Sequence, residues 1–241
     1  MDSTPAISKA KAYIDIETNW FRGQAVNLPH DEEGPYITVS REAGTGGSIF
    51  AKALVQELNA KRGSGSPPWT LFDSELVQQM LSESRLPGSL ARFLPEDRIP
   101  AIVGAVGEIV GLHPDLWTLV QRTNETVRRL AMLGHTVIVG RGGNFAAAGV
   151  ANGLNLRLIG STGGRTRRVA SVKGLSPAEA EAYLKKLDNA RRDYVKSAFD
   201  RDVADVSAYD LVINTDTVSV ADGVASVLTL LARRWLAKAG S

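Results

Sequence analysis

The chain alternates short apolar runs with longer segments of helical periodicity. Apolar residues in the longer segments recur every three or four positions, which is typical of amphipathic helices. The short runs are rich in β-branched side chains and are predicted to be buried strands. These strands span residues 36–40, 69–72, 136–140, 154–159 and 209–213. Strands that alternate with helices indicate an α/β fold, in which a parallel sheet is covered on both faces.

A glycine-rich turn follows the first strand and leads into a helix that begins at Ser48. Glycines let the backbone approach an anion closely, and a helix start adds partial positive charge at the same place. This pattern predicts a phosphate-binding loop, with a plain tight turn as the alternative. The residues that would hold the phosphates are Gly44, Thr45, Gly46, Gly47 and Ser48. One face of the helix is predicted to be apolar, with Ile49, Phe50, Ala53, Leu54 and Leu58.

The turn matches neither common glycine motif completely. In the Walker A pattern, Arg41 stands where the first glycine belongs and Gly47 stands where the lysine belongs. Only the second glycine, Gly46, and the hydroxyl of Ser48 are kept. In the dinucleotide pattern G-x-G-x-x-G, Ile49 takes the third glycine position.

Five segments resemble the cytidylate kinase-like proteins and occur in that family's order. They are ITVSREAGTGGSIFAKAL (37–54), VIVGRGGN (137–144), RTRRVA (165–170), LDNARRDY (187–194) and YDLVINTD (209–216). The resemblance implies a P-loop kinase-like three-layer αβα sandwich, whose five-stranded parallel sheet has the order 2-3-1-4-5. Helical periodicity followed by a polar segment predicts an N-terminal helix and linker at 1–34, and the resemblance implies a nucleotide kinase-like domain at 35–241. Within that domain, it implies a helical acceptor-binding insert at about 74–133 and a lid at about 161–200.

Composition excludes several other classes of site. The 241 residues include no cysteine and three scattered histidines, so neither a thiolate nor a histidine metal site is expected. A formal charge of +2 does not favour a general nucleic-acid binder. No run approaches the ~20 apolar residues that a membrane span needs, and the N-terminus does not resemble a signal peptide. We therefore expect a cytoplasmic protein that binds neither membrane nor nucleic acid.

Two polar residues follow predicted strands. Asp73 follows the second strand and Arg141 the third, and ligands of parallel sheets bind at these carboxyl ends. The guanidinium fork of Arg141 suits phosphate oxygens, although pairing with a carboxylate such as Asp73 is the alternative. Asp73 is equally suited to cap a helix over 74–81. The resemblance implies that Asp73 lies beside the acceptor nucleotide.

Positive charge is concentrated between residues 161 and 192, where eight Lys or Arg side chains face three Asp or Glu. Arg165 and Arg168 lie three residues apart on one helix face, as do Asp188 and Arg191 on the next helix. Ser176, Pro177 and Glu179 predict a capping box at the start of that second helix. Arginines on two helical arms suit a lid that stabilises charge during phosphoryl transfer, and a solvated basic face is the alternative. The resemblance favours the lid, which leaves Arg167 and Arg192 facing solvent.

Two segments indicate packing surfaces of undetermined use. Residues 101–112 are apolar on nearly every side, and we expect them in the acceptor-binding insert, at a subunit interface, or both. Residues 6–22 have helical periodicity and are expected to pack on the domain or on a second subunit, with a partly ordered leader as the alternative. A homo-oligomer is therefore an open alternative.

The leading hypothesis is a nucleotide kinase that transfers the γ-phosphoryl group of ATP, with Mg²⁺, to a nucleoside monophosphate. The resemblance favours CMP or dCMP. Ser48 would contact the metal, Arg41 would replace the charge of the missing lysine, and Asp73, Arg141 and Asp188 would face the acceptor. Arg141 would also act with Arg165, Arg168 and Arg191 on the transferred group.

Two other functions remain open from the sequence. A nucleotide-binding regulatory protein without catalysis would explain the absent Walker lysine. A dinucleotide-binding oxidoreductase would use Asp73 as its ribose-binding acid, although Asp73 lies further from Gly46 than the usual ~20 residues.

Overall fold

The computed structural model describes residues 34–63, 66–73 and 114–239. The predicted helices over 6–22 and 74–81 and the apolar run 101–112 lie outside these ranges. The strands are β1 (Tyr36–Arg41), β2 (Thr70–Phe72), β3 (Thr136–Val139), β4 (Gly153–Ile159) and β5 (Leu211–Asn214). The helices are α1 (Gly47–Ala60), α2 (Pro114–Leu133), α3 (Gly143–Ala146), α4 (Thr162–Lys173), α5 (Pro177–Phe199) and α6 (Val220–Ala239).

The five strands form one parallel sheet in the order β2-β3-β1-β4-β5. This confirms the predicted parallel α/β fold and its strand order. The order differs from the 3-2-1-4-5 arrangement of dinucleotide-binding folds, and the fold therefore does not support the alternative of a dinucleotide-binding oxidoreductase. Strand β1 lies at the centre, and the glycine loop that follows it therefore stands at the middle of the sheet edge.

One face of the sheet packs against α1 and α6. Alternate residues of β1 and β4 point to this face, as the two-residue period of a strand requires. Their side chains are fully buried with those of the two helices in one apolar cluster, which includes Ile37, Val39, Phe50, Leu54, Leu156, Leu158, Val224 and Val227.

The predicted apolar face of α1 is wrong in one position. Ile49 is 65% exposed, whereas Phe50, Ala51, Leu54 and Leu58 are buried. At about 100° per residue, these four side chains cluster on one side of the helix, and Ile49 projects to the opposite side.

The second sheet face changes character across the sheet. On β2 and β3, Phe72 and Ile138 pack with Tyr36 of β1 and with the α2 residues Val127 and Leu130 in a second apolar cluster. Beyond Tyr36, the same face carries polar side chains on β1 and β4. These four residues, which we call the polar sheet end, are Thr38, Ser40, Asn155 and Arg157.

Helices α4 and α5 form a hairpin that packs onto the glycine loop. Ala43 of the loop is buried with Val169 of α4 and with Ala180, Leu184 and Leu187 of α5. The loop is thus held by an apolar contact as well as by its own turn geometry.

The predicted capping box at the start of α5 is confirmed. The Ser176 hydroxyl accepts a hydrogen bond from the Glu179 N–H, and the Glu179 carboxylate accepts one from the Ser176 N–H. The Ser176 hydroxyl also donates to the Glu179 carboxylate at 2.6 Å, and this hydrogen bond, together with the one from the Ser176 N–H, lowers the pKa of Glu179 below its usual range.

Ser176→Ala should lower the free energy of unfolding by about 1 kcal/mol, because it removes the cap of a long helix. Urea titration followed by circular dichroism measures this loss. Ser197→Ala, at an exposed position within the same helix, serves as the control and should cause no loss. Equal effects at the two serines would contradict the capping role.

In the described residues, no helix combines the length and the apolar character needed to cross a bilayer.

Candidate nucleotide-binding site

Residues at the carboxyl ends of all five strands meet at one edge of the sheet. Glu42 and the glycine loop follow β1, Asp73 follows β2, and Arg141 lies just beyond β3. Gly160 follows β4, and Asp216 lies in the turn after β5. This is the edge at which open parallel sheets bind ligands.

The loop between β1 and α1 depends on two glycines in the left-handed conformation. Gly44 has φ +77° and Gly46 has φ +80°, a region that residues with a Cβ rarely adopt. The Thr45 hydroxyl donates to the Glu42 carbonyl at 2.8 Å and closes the turn. The loop has the backbone of a phosphate cradle.

Helix α1 begins without a side-chain cap. Its N-cap is Gly46, and no acidic residue lies in its first turn. By contrast, Ser161 caps α4 and Ser176 caps α5. The first main-chain N–H groups of α1 are therefore left to a ligand or to water, next to the glycine loop.

Arg41 packs across the position that holds lysine in a Walker A motif. A Cβ built at Gly47 would lie 3.0 Å from Cγ of Arg41 and 3.4 Å from its Cβ and Cδ. The aliphatic stem of Arg41 therefore occupies the space into which a side chain at position 47 would grow.

Three arginines of the α4–α5 hairpin donate hydrogen bonds to main-chain carbonyls of this region. Arg191 Nη1 donates to the Arg41 carbonyl at 3.2 Å, and Arg165 Nη1 donates to the Ala43 carbonyl at 3.0 Å. Arg168 Nη1 donates to the Gly44 carbonyl. The predicted lid arginines thus lie together at the loop, where they fix the direction of its peptide groups.

Asp188 connects the loop to these arginines. Its Oδ1 accepts from the Ala43 N–H at 2.7 Å, and its Oδ2 accepts from Arg165 Nη1. On the other side, Glu42 accepts from the Gly160 N–H at 3.0 Å and lies 3.5 Å from Arg165 Nε. Arg165 is only 8% exposed, so two carboxylates compensate a largely buried cation.

The Arg165–Asp188 pair should show a coupling of about 1–3 kcal/mol in a double-mutant cycle, because each partner leaves the other poorly compensated. The cycle consists of Arg165→Met, Asp188→Ala and the double variant, each unfolded in urea. The solvent-exposed pair Lys196–Asp200, 2.6 Å apart, provides the control and should show no measurable coupling. Additive losses in the Arg165 and Asp188 variants would show that the two side chains do not stabilise each other.

Arg141 lies against an aromatic ring of α5. Its guanidinium carbon is 4.7 Å from the ring centre of Tyr194, whose hydroxyl donates to Asn124 at 3.0 Å. Burial raises the pKa of Tyr194, and the nearby Arg141 charge partly opposes this. Arg141 and Asp73 follow neighbouring strands, β3 and β2, on one side of the glycine loop.

Asp216, which the sequence interpretation did not select, lies on the other side of the loop. It accepts from the Ser161 N–H at 2.6 Å and lies 3.4 Å from Arg168 Nη2. Hydrogen bonds from Ser161, assisted by the Arg168 charge, hold the pKa of Asp216 below its usual range. Arg167, Arg168, Ser161 and Asp216 line an open groove here. The sequence offered one signal for Asp216, which is that an acidic residue stands two positions after the last strand.

Comparison with solved structures found several similar chains, and the first one named here supports the fold. A crystal structure of an uncharacterized protein from Eubacterium ventriosum has a TM-score of 0.62 and 21% identity, and covers 84% of this chain and 99% of its own. Shikimate kinase from Bacteroides thetaiotaomicron has a TM-score of 0.46 and 15% identity, covering 82% and 98%. A gluconokinase from Sinorhizobium meliloti has a TM-score of 0.45 and 14% identity, covering 84% and 94%.

Sequence comparison identifies the family. Comparison with curated proteins gave no match. The model of the cytidylate kinase-like family matches residues 36–217, a range that contains all five strands and the α4–α5 hairpin. The protein therefore belongs to the cytidylate kinase-like family.

Proposed function

We propose that the protein transfers the γ-phosphoryl group of ATP to a nucleoside monophosphate, with CMP or dCMP as the favoured acceptor. The observation that carries this proposal is the uncapped start of α1 beside two left-handed glycines at the centre of the sheet edge. Consecutive main-chain N–H groups and the helix dipole suit a triphosphate. The choice of CMP or dCMP rests on family membership.

The donor phosphates would lie on Gly44, Thr45, Gly46, Gly47 and Ser48. Arg41, packed against Gly47, would supply the positive charge that a Walker lysine provides. The donor nucleoside would extend into the groove between Arg168 and Asp216, which adjoins the loop through the hydrogen bond from Arg168 to Gly44.

The residues present fit a magnesium ion that arrives with the nucleotide. The described part of the chain contains no group of three acidic, histidine or cysteine side chains that could hold a metal. Mg²⁺ needs no such cage, because it commonly takes one or two protein oxygens together with phosphates and water. The exposed hydroxyl of Ser48, in the first turn of α1, would be the protein ligand. When bound, Mg²⁺ neutralises phosphate charge.

The acceptor would bind on the side of β2 and β3, near Asp73, Arg141 and Asp188. Arg165, Arg168, Arg191 and Arg141 would stabilise the charge that spreads over the transferred group. The side chains of Arg165 and Arg191 are 10% and 11% exposed and that of Arg168 is 36% exposed. Arg168 is thus best placed to reach the transferred group, whereas Arg165 and Arg191 would act mainly by holding the loop.

A coupled assay with ATP and Mg²⁺ tests this function. The acceptors are CMP, dCMP, UMP, AMP and GMP, with shikimate and gluconate as acceptors of another class, and calorimetry measures ATP binding separately. We expect the fastest transfer to CMP or dCMP. ATP binding without transfer to any acceptor would favour the regulatory alternative, and transfer only to shikimate or gluconate would refute the monophosphate assignment.

A further inference from the structure

The polar sheet end contains a buried cation that the proposed mechanism does not use. Thr38 is 1% exposed, Ser40 is 5% exposed and Arg157 is 6% exposed. Apolar side chains of the neighbouring strands β2 and β3 fill the adjoining part of this sheet face, so a polar interior on β1 and β4 requires a separate explanation.

Arg157 has few partners for a buried guanidinium. Its Nη1 donates to the Ser40 hydroxyl at 3.2 Å, and its guanidinium carbon lies 5.5 Å from the ring centre of Tyr209. Across 34–63, 66–73 and 114–239, no carboxylate lies within ion-pair distance of it. A guanidinium has five N–H donors, and here one neutral hydroxyl accepts from it.

This arrangement is costly unless an anion completes it. Buried charges in proteins are normally paired, because the neighbouring hydroxyl and ring cannot replace the lost hydration of a cation. Arg165 illustrates the usual solution, since Asp188 and Glu42 compensate it at similar burial. Within the described ranges Arg157 lacks this compensation, and it is therefore suited to a ligand that carries negative charge.

Arg157 lies on β4, across β1 from β3, and helix α3 connects it with the acceptor side of the site. Arg157 pairs in register with Ser40, directly before Arg41 and the glycine loop. It points to the sheet face opposite α1, the face that α3 covers, where Gly143 lies next to Thr38. Asn144 of α3 is also buried there, and its Oδ1 has no hydrogen-bond partner in the part of the chain that the structure describes. Helix α3 begins just after Arg141, so this layer continues to the proposed acceptor residues.

We propose that Arg157 binds an anionic group of the acceptor, a phosphate or a carboxylate, beneath the glycine loop. This inference rests on the proposed function, because the ligand is the acceptor of the transferred phosphoryl group. It assigns to the acceptor a negative group that is recognised by the fork of Arg157. Ser40 and Tyr209 hold the guanidinium in place for that contact.

The test compares Arg157→Met with wild type while the donor site is filled. Thermal unfolding is measured with a saturating non-hydrolysable ATP analogue and Mg²⁺, before and after addition of inorganic phosphate, acetate or CMP. The control is Arg233→Met, which makes the same change at an exposed position of α6. Arg157→Lys is the second variant, because it keeps the charge without the fork and remains informative if methionine does not fold.

We expect phosphate or CMP to raise the Tm of wild type and Arg233→Met but not that of Arg157→Met. Acetate stabilising in place of phosphate would identify a carboxylate. With no anion added, Arg157→Met should be as stable as wild type, because an apolar side chain replaces an uncompensated cation. In the coupled assay, the KM for CMP should rise by about 10-fold or more while the KM for ATP changes little.

The proposal is overturned if phosphate, acetate and CMP stabilise Arg157→Met and wild type equally. It is also overturned if Arg157→Met is less stable than wild type but the added anions shift its Tm as they shift that of wild type, because Arg157 would then only pack on Tyr209. If Arg157→Met does not fold, the same criterion applies to Arg157→Lys. A failure of the ATP analogue to shift the Tm of any variant would instead contradict the proposed function. Even then, a difference between the Tm shifts that phosphate causes in wild type and in Arg157→Met would show whether Arg157 binds the anion.

Discussion

Arg41→Ala is expected to lower kcat/KM for transfer from ATP to CMP by about 100-fold or more, the usual cost of removing one charged donor from a phosphoryl-transfer site. The physical reason is the position of Arg41, whose stem packs against Gly47 where a Walker motif has lysine. Without it, the triphosphate would be held by main-chain N–H groups alone. Steady-state kinetics with both substrates measures the loss.

Two further variants make this prediction specific. Lys52→Ala removes a positive charge from an exposed position of α1 and should leave kcat/KM nearly unchanged. Gly47→Lys alone should be impaired because its Cβ would lie 3.0 Å from Arg41 Cγ. Arg41→Ala combined with Gly47→Lys should regain part of the lost activity. Full activity of Arg41→Ala would show that Arg41 does not replace the Walker lysine.

Gly44→Ala should reduce the free energy of unfolding by about 2–4 kcal/mol, because backbone strain adds to overpacking. Gly44 has φ +77°, and a Cβ there would lie 2.9 Å from Leu184 Cδ2 and 3.0 Å from Val169 Cγ2. The new methyl group would push the loop away from the α4–α5 hairpin. Urea unfolding measures the loss.

Gly46→Ala provides a matched control. Gly46 has φ +80°, but a Cβ there would meet no atom within 4 Å. It should therefore cost only the strain, about 1–2 kcal/mol. The difference between the two variants isolates the packing of the loop on α4 and α5. Equal losses would show that this packing contributes nothing.

The sequence predicts the fold well because its signals are local. Alternating short apolar runs and helical segments give the five strands and the helices between them, and the resemblance gives the strand order. The capping box at Ser176 and Glu179 also depends on residues three apart, and it forms as predicted. Ile49 is the exception, since only the packing of α1 decides which side of a broadly apolar helix faces the sheet.

The contacts around the glycine loop could not be predicted in this way. The three-residue spacing predicts that Arg165 and Arg168 share one helix face and that Asp188 and Arg191 share another. It does not predict which elements those faces contact. Their hydrogen bonds to the carbonyls of Arg41, Ala43 and Gly44 join residues more than a hundred positions apart. These contacts depend on where the α4–α5 hairpin packs, which helical periodicity does not determine.

The sequence around Arg157 contains a signal for its position that the strand prediction did not use. In LNLRLI, leucines alternate with Asn155 and Arg157. A two-residue period assigns both polar residues to the face opposite the apolar core. The sequence does not show which side chains surround Arg157. That no carboxylate among the described residues pairs with it depends on the neighbours brought by β1 and by the segment before β5.

The central claim is that main-chain N–H groups at the start of α1 hold the donor triphosphate without a Walker lysine. Amide ¹H–¹⁵N spectra recorded during titration with a non-hydrolysable ATP analogue and Mg²⁺ test it most directly. We expect the largest saturable shifts at the amides of Gly46, Gly47 and Ser48. Saturating nucleotide that leaves these amides unmoved, or that does not bind at all, would contradict the claim.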